Sequence, residues 1–186
     1  MLEEEKIVKR ARRGEAEAFG FLYDQYLPQI YRFVFLKTSY RPIAEDLTQQ
    51  VFLHAWQNIG SYKHRGFPFS SWLYQIARNL VIDHYRTNKP QVELERAEDI
   101  PEPFNLALDV EKKFNLELVQ QKIKELPSEY QNVIIMRFVE ELAPKEIAEA
   151  LGKSEGAVKV IQHRAINQLK KLINQNGGNT QKTKIA

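Results

Sequence analysis

Apolar residues in this chain return at intervals of three and four, and no stretch of useful length alternates apolar with polar. That period belongs to the α-helix and not to the β-strand. In AFGFLYDQYLPQIYRFVFL, Phe19, Leu22, Tyr23 and Tyr26 fall on one face. Pro28 is expected to break or kink this run, because proline has no amide proton and its ring crowds the preceding turn. In PIAEDLTQQVFLHAWQNI, Pro42 stands near a helix start, and Ile43, Leu47, Val51 and Ala55 recur every four residues. Asp46, Gln49, Gln50 and Leu53 then point elsewhere. A loop, GSYKHRGFPFS, is punctuated by Gly60, Gly66 and Pro68. It leads into SWLYQIARNLVIDHYR, a helix from about Ser71 to Arg86 with Leu73, Ile76, Ala77, Leu80 and His84 on its core side. The expected fold class is all-α.

The helical pattern falls into two blocks, so the reading is two small helical domains. The first covers residues 1–89. Between 90 and 109, Pro90, Pro101 and Pro103 interrupt any helix, and Glu93, Glu95, Glu98, Asp99 and Glu102 face only Arg96. This is an acidic, extended linker or, equally well, a solvated surface loop. The second domain covers 110–174. In LPSEYQNVIIMRFVEEL, Ser128 is the expected N-cap and Gln131 completes a capping-box pattern. Pro144 sits at a first helical position, Gly152 just past the end of that helix, and Ser154 at the next N-cap. Val158, Ile161, Ala165, Leu169 and Leu172 form the last stripe. Residues 175–186 lack periodicity and are expected to be a disordered tail.

Composition excludes several classes. The 186 residues contain no cysteine, so disulfides, thiolate catalysis and cysteine metal sites are impossible. The N-terminus lacks the apolar run of a signal peptide, and no stretch reaches the ~18 apolar residues of a membrane span. The expected location is cytoplasmic, with no membrane insertion of this chain. His54, His64, His84 and His163 are scattered, and no carboxylate pair or activated nucleophile stands out. No catalytic residue, metal site or cofactor is expected. The formal net charge of +3 says little about nucleic acid, so the distribution of charge must carry that argument.

Two places concentrate it. The helices joined at LGKSE have the shape of a helix-turn-helix, with Ile147, Ala148 and Leu151 facing the core from the first and Val158 and Ile161 from the second. Such a unit lays the start of its second helix in the major groove, which here presents Glu155, Lys159, Gln162, His163 and Arg164. A helical hairpin with a solvated cationic face has the same pattern. The second place is the 71–86 helix, whose outward residues are Tyr74, Gln75, Arg78, Asn79, Tyr85 and Arg86. The preceding loop adds Tyr62, Lys63, His64, Arg65, Phe67 and Phe69. Rings interleaved with cations form a platform for unstacked bases, each stacked base contributing ~1–3 kcal/mol. Duplex bases are already stacked and need no such rings. For Trp72 and Phe69 taken singly, core packing is the expected role.

AEDLTQQVFLHAW, RGFPFSSWLYQIARNLVIDHYR, the acidic linker, LPSEYQNVIIMRF and EIAEALGKSEGAVKVIQHRA occur in that order. Together, over roughly residues 10 to 173, they resemble the extracytoplasmic-function sigma factors of bacterial RNA polymerase. The resemblance implies a promoter-specificity subunit that binds core RNA polymerase through its large catalytic subunits, reads the minus-thirty-five element as duplex DNA, and melts and captures the minus-ten element. It implies that the linker passes through the polymerase cleft, and that an anti-sigma factor is a partner. Carried over by residue, Asp46, Gln49, Gln50 and Phe52 match the polymerase-binding helix, Leu53 joins that surface, and Phe52 doubles as a core candidate. Lys63, His64, Arg65, Phe67, Tyr74, Gln75, Arg78, Asn79 and Arg86 fall at the melted minus-ten strand. Ser154, Glu155, Lys159, Val160, His163 and Arg164 fall at the minus-thirty-five duplex. The chain departs from the family at Gln50, where glutamate is frequent, at Ala143, where a serine cap is usual, and at Val160 and Ile161, often polar or basic. The alternative reading is a freestanding helix-turn-helix regulator that binds duplex DNA without polymerase.

Overall fold

The computed structural model describes residues 2–64, 66–87 and 121–177. All regular structure among them is helical: α1 (Leu2–Arg12), α2 (Ala16–Thr38), α3 (Arg41–Asn58), a 3-10 turn (Ile59–Ser61) and α4 (Phe69–Thr87), then α5 (Ser128–Ile134), α6 (Pro144–Leu151) and α7 (Glu155–Gly177). The linker 90–109, with the ends of both flanking domains, lies outside the described residues. So does the tail beyond 177, although α7 continues helical to Gly177 through the first three residues expected to belong to it.

The first domain closes around stripes that the period of the sequence specifies. Leu22, Ile30 and Phe33 of α2 meet Ala44, Val51 and Ala55 of α3 and Leu73, Ala77 and Val81 of α4, all buried. α1 adds Val8 and Ala11. Pro28 corrects the expectation of a broken helix, because α2 runs unbroken through it. The carbonyl that loses its partner belongs to Asp24, and both residues lie on the exposed side where water can serve that oxygen. Tyr26 and Ile30 on the opposite side are buried and hold the helix in place.

In the second domain α5, α6 and α7 pack around Val133, Ile135, Met136, Ile147, Val158 and Ala165. Ser128 is not the cap expected of it. The amides of Tyr130 and Gln131 donate to the Pro127 carbonyl, so the helix starts one residue earlier, and the Gln131 amide group donates to the carbonyls of Lys124 and Leu126. After α5 the helix widens to a π turn, Ile135–Val139, and Glu141 follows at φ 57°. At α6, Ala143 offers no side-chain acceptor, yet its own amide donates to the Glu146 carboxylate at 2.6 Å, which supplies half of a capping box. Gly152 takes the left-handed conformation, φ 64°, and Lys153 N–H reaches the Ala148 carbonyl, closing α6 as the sequence suggests.

The domains touch through α4 against α6 and α2 against the π turn. Arg32 donates from Nε to Glu140 Oε1 at 2.6 Å and from Nη2 to Oε2 at 2.8 Å, and the Tyr74 hydroxyl adds a third bond at 3.2 Å. Lys37 Nζ donates to Ser128 Oγ at 2.9 Å and to the Ser128 carbonyl at 3.3 Å.

Burial, and secondarily the charge of Arg78, pulls the Lys37 ammonium from 10.5 down to about 7. Between those values the unfolded chain binds more protons than the folded one, so this residue makes stability rise with pH above about 7. Below that point both states are protonated and the penalty on the fold is complete. In Lys37→Met the titrating group is gone. The stability advantage of that variant over the parent should therefore shrink as pH is raised from 7 to about 9, measured by urea unfolding. A difference that stays flat across that range would contradict the burial of this amine.

Candidate nucleic-acid interface

The loop before α4 and the first turns of α4 enclose a cavity of about 360 Å³, lined by Ser61, Tyr62, Lys63, Phe67, Pro68, Ser71, Trp72 and Gln75. That volume lies toward the lower end of small-ligand sites, ~300–1,000 Å³. The rings of the wall are held by one another. Tyr62 and Trp72 lie 4.9 Å apart between centroids, and the fully buried Phe69 packs edge-on to Tyr62 at 5.3 Å and tilted to Trp72 at 5.4 Å. Phe69 is thus core, as expected for it singly, while Trp72 is half-buried and faces the cavity. Burial, followed by the charges of Glu4 and Glu149, pushes the Tyr62 hydroxyl up to about 12, so it stays protonated as a donor.

The remaining wall comes from the other domain, where Glu149 of α6 lines the cavity. The helix-turn-helix unit thus adds a carboxylate to the cavity lining, and a negative charge there opposes a phosphodiester strand. Ser71 Oγ is buried without a hydrogen-bond partner at the same place. One turn on, Gln75 is exposed on the same face of α4.

The expected minus-ten residues are distributed unevenly around this cavity. Lys63, Phe67 and Gln75 line it, and His64, Asn79 and Arg86 are exposed nearby along the loop and α4. Arg78 is half-buried, with Nη1 donating to Asn79 Oδ1 at 3.3 Å, and Arg86 pairs with Asp83 at 3.1 Å. Arg65 lies outside the described residues. Tyr74 corrects the reading of a surface residue: it is wholly buried, its ring 5.4 Å edge-on to Phe33 and its hydroxyl on Glu140. Burial first, and then the Glu140 charge, raises its pKa. The buried arc of α4 is wider than a single stripe because α2, α3 and α6 all pack on it.

On α7, Ser154, Glu155, Lys159, Val160, His163 and Arg164 are all exposed, on one side of the helix start. Ser154 Oγ accepts the Ala157 amide at 3.2 Å, capping the helix as anticipated. Lys159 pairs with Glu155 at 2.7 Å, which lowers the Glu155 carboxyl, and His163 Nε2 lies 3.0 Å from the Asn167 amide nitrogen. Ile161 is buried, so its apolar character reflects the core and does not change the exposed face. On α3, Asp46, Gln49 and Leu53 are exposed, Leu53 by 54%, and Gln50 is half-buried with Nε2 donating to Asp46 at 2.7 Å. Phe52 is core, edge-on to Tyr23 at 4.7 Å. Among the described residues no group of three metal-ligating side chains comes together, and no helix is long and apolar enough to cross a membrane.

Sequence reading missed Ser71 and Glu149 as cavity residues. Ser71 had a weak signal, its spacing of four from Gln75. Glu149 had none, because only the packing of α6 on α4 brings it there.

Comparison with known proteins places both halves. Sigma-70 region 2 matches residues 22–91 and Sigma-70 region 4 matches residues 123–171. The ECF RNA polymerase sigma factor BldN of Streptomyces coelicolor is 37% identical over 172 residues, covering 90% of this chain and 65% of that protein, so this chain spans just under two thirds of its length. SigW of Bacillus subtilis, also an ECF RNA polymerase sigma factor, is 34% identical over 177 residues, 89% of this chain and 94% of that one. In fold, the chain is similar to CnrH in its complex with the cytosolic domain of CnrY, with TM-score 0.73 and 22% identity over 92% of this chain and 97% of that one. It is also similar to RpoE of Bartonella quintana, solved with the anti-sigma factor NepR, with TM-score 0.68 and 22% identity over 84% and 96%. Two helical domains in this order, and a third of all residues shared with SigW along nearly its whole length, make this chain a member of the ECF sigma factors of RNA polymerase, a promoter-recognising subunit and not a freestanding regulator.

Proposed function

We propose that the chain directs core RNA polymerase to promoters by dividing the labour among three surfaces. The outward face of α3, with Asp46, Gln49, Gln50 and Leu53, docks on the large catalytic subunits. The start of α7, from Ser154 to Arg164, reads the minus-thirty-five duplex. The loop and α4 capture the opened minus-ten strand. The assignment carries over the domain limits 1–89 and 110–174, with 90–109 as the linker between them. The observation that carries it is the ring-walled cavity between Tyr62, Phe67 and Trp72. A base flipped from the stack costs a few kcal/mol, and such a pocket offsets that cost only once the strand is open. The work is binding, with no bond made or broken by this chain, and its place is the cytoplasm. Because RpoE of Bartonella quintana was solved with an anti-sigma factor, we assign a protein of that kind as partner here also.

Run-off transcription with core polymerase, with and without the chain, tests the proposal. Initiation and permanganate-reactive thymines at the minus-ten element should require the chain. Equal initiation in both reactions refutes it.

Two substitutions separate the surfaces. Arg78→Ala should leave the unfolding free energy within ~0.5 kcal/mol of the parent, because its described hydrogen bond runs to the exposed Asn79, yet reduce open-complex formation. A large loss of stability would show that Arg78 is structural. Arg164→Ala should weaken binding to the minus-thirty-five duplex by ~1–3 kcal/mol if it reads a base edge, with relaxed preference at one base pair. Uniform weakening across sequences, with a salt slope reduced by about one, would reassign it to a phosphate.

A further inference from the structure

Glu4 stands on α1, outside the segment that matches Sigma-70 region 2. Its carboxylate joins two distant elements. Oε1 accepts the backbone amide of Phe69, 65 positions along the chain, at 2.6 Å, and Oε2 accepts the Tyr26 hydroxyl at 2.8 Å. Phe69 is the first residue of α4, and the first amides of a helix have no acceptor within it. A carboxylate there makes a charge-assisted bond and meets the positive end of the helix. The same Phe69 ring touches Tyr26, Tyr62 and Trp72, with centroids 6.0, 5.3 and 5.4 Å away. Tyr62 and Trp72 are adjoining rings of the cavity lining, 4.9 Å apart and in contact. One carboxylate therefore holds the first amide of α4, and through Phe69 it braces the ring cluster that lines the cavity.

α1 has anchors besides Glu4. Val8 and Ala11 are buried against the core, and Arg12 Nη2 reaches the Gly60 carbonyl at 3.5 Å. Glu4 lies at the far end of the helix from these anchors, where its only described hydrogen bonds run to Phe69 and Tyr26.

We infer that Glu4 is a positioning residue for strand capture: it holds the start of α4 so that the contacting rings of Tyr62 and Trp72 stay in place as the wall of the cavity that receives a single unstacked base. This rests on the reading of the cavity as the minus-ten site, and the experiment separates the two. Glu4→Ala and Glu4→Gln are prepared in the full chain, assembled with core polymerase and placed on a promoter mapped from its transcription start. Permanganate reactivity reports opening, while core affinity and binding to the minus-thirty-five duplex report the surfaces on α3 and α7. Glu4→Ala should lower opening about tenfold, the effect of losing one hydrogen bond to a charged group, with the other two affinities within about twofold. Glu4→Gln, which can still accept from the Phe69 amide, should recover part of the loss. Opening equal to the parent overturns the inference, and so does a parallel loss of all three activities, which would mark Glu4 as merely structural. Should the parent itself fail to open the promoter, the minus-ten reading falls, and Trp72 emission decides on Glu4. In a Trp56→Phe background Trp72 is the only tryptophan. Glu4→Ala should shift its emission, and an unchanged spectrum refutes the placement of the rings by Glu4.

Discussion

Replacing Glu140 with alanine is expected to separate the two domains of the free chain. The Glu140 side chain is 1% exposed and receives three hydrogen bonds from the other domain, two from Arg32 and one from Tyr74. Those bonds raise the Arg32 guanidinium further, against the burial that opposes it. Losing the carboxylate leaves the Tyr74 hydroxyl wholly buried with no acceptor, a penalty of ~1–3 kcal/mol. The loss for Arg32 is smaller than for a fully buried ion, because its side chain is 31% exposed and can rehydrate. Together they remove about 2–4 kcal/mol from the contact between domains. A second tie, Lys37 to Ser128, bonds a lysine already held near neutrality to a hydroxyl and a carbonyl. Small-angle scattering should show a larger radius of gyration for Glu140→Ala. Acrylamide should quench Trp72 more strongly as α6 carries Glu149 away from the cavity wall. Tyr74→Phe removes the stranded hydroxyl together with its bond, so its effect should be the milder one. A scattering profile identical to the parent would mean that the apolar packing of α4 on α6, and not this carboxylate, holds the domains together.

What the sequence discloses follows the range of the interaction. Stripes such as Ile43, Leu47, Val51 and Ala55 are written in the local period, and all but Ile43, which is partly buried, are fully in the core. The joint of the helix-turn-helix is also local. Gly152 supplies the positive φ that ends α6, and Ser154 supplies the oxygen that starts α7, within three residues of each other. The break that a local rule allows at Pro28 does not occur, because whether a missing hydrogen bond breaks a helix depends on which side faces water. Tyr74 was misjudged because the width of the buried arc on α4 depends on how many helices pack there. Glu4, Glu140 and Glu149 were invisible for a stronger reason. Each is an acidic residue in an ordinary setting: Phe69 lies 65 positions from Glu4, Arg32 lies 108 from Glu140, and Glu149 lines a cavity formed by residues 61–75. A charge pattern read along the chain cannot distinguish a carboxylate that ties two domains from one that merely keeps a helix in water.

Phe69→Ala should be the most damaging single substitution at the cavity, and its damage should be to folding first. The ring is wholly buried and packs against Tyr26, Tyr62 and Trp72. Truncation to alanine removes its transfer free energy and leaves a void that three rings cannot fill without leaving their rotamers, about 3–5 kcal/mol in total. Domains of this size are stable by ~5–15 kcal/mol, so the variant keeps a fold only if the first domain starts well above the lower limit. Phe69→Leu retains most of the volume and should cost about 1–2 kcal/mol. The pair divides two roles that the sequence runs together. If the cavity serves strand capture through the placement of Tyr62 and Trp72, the leucine variant should fold, bind core polymerase through α3 and still open promoters poorly, because a branched aliphatic group no longer braces the two rings. If Phe69 is core and nothing more, opening and stability should fall together and recover together when the chain is stabilised by low concentrations of an excluded osmolyte. Urea unfolding of both variants beside their permanganate footprints distinguishes these outcomes, and a leucine variant that opens promoters like the parent would remove the Phe69 ring from any part in placing the base.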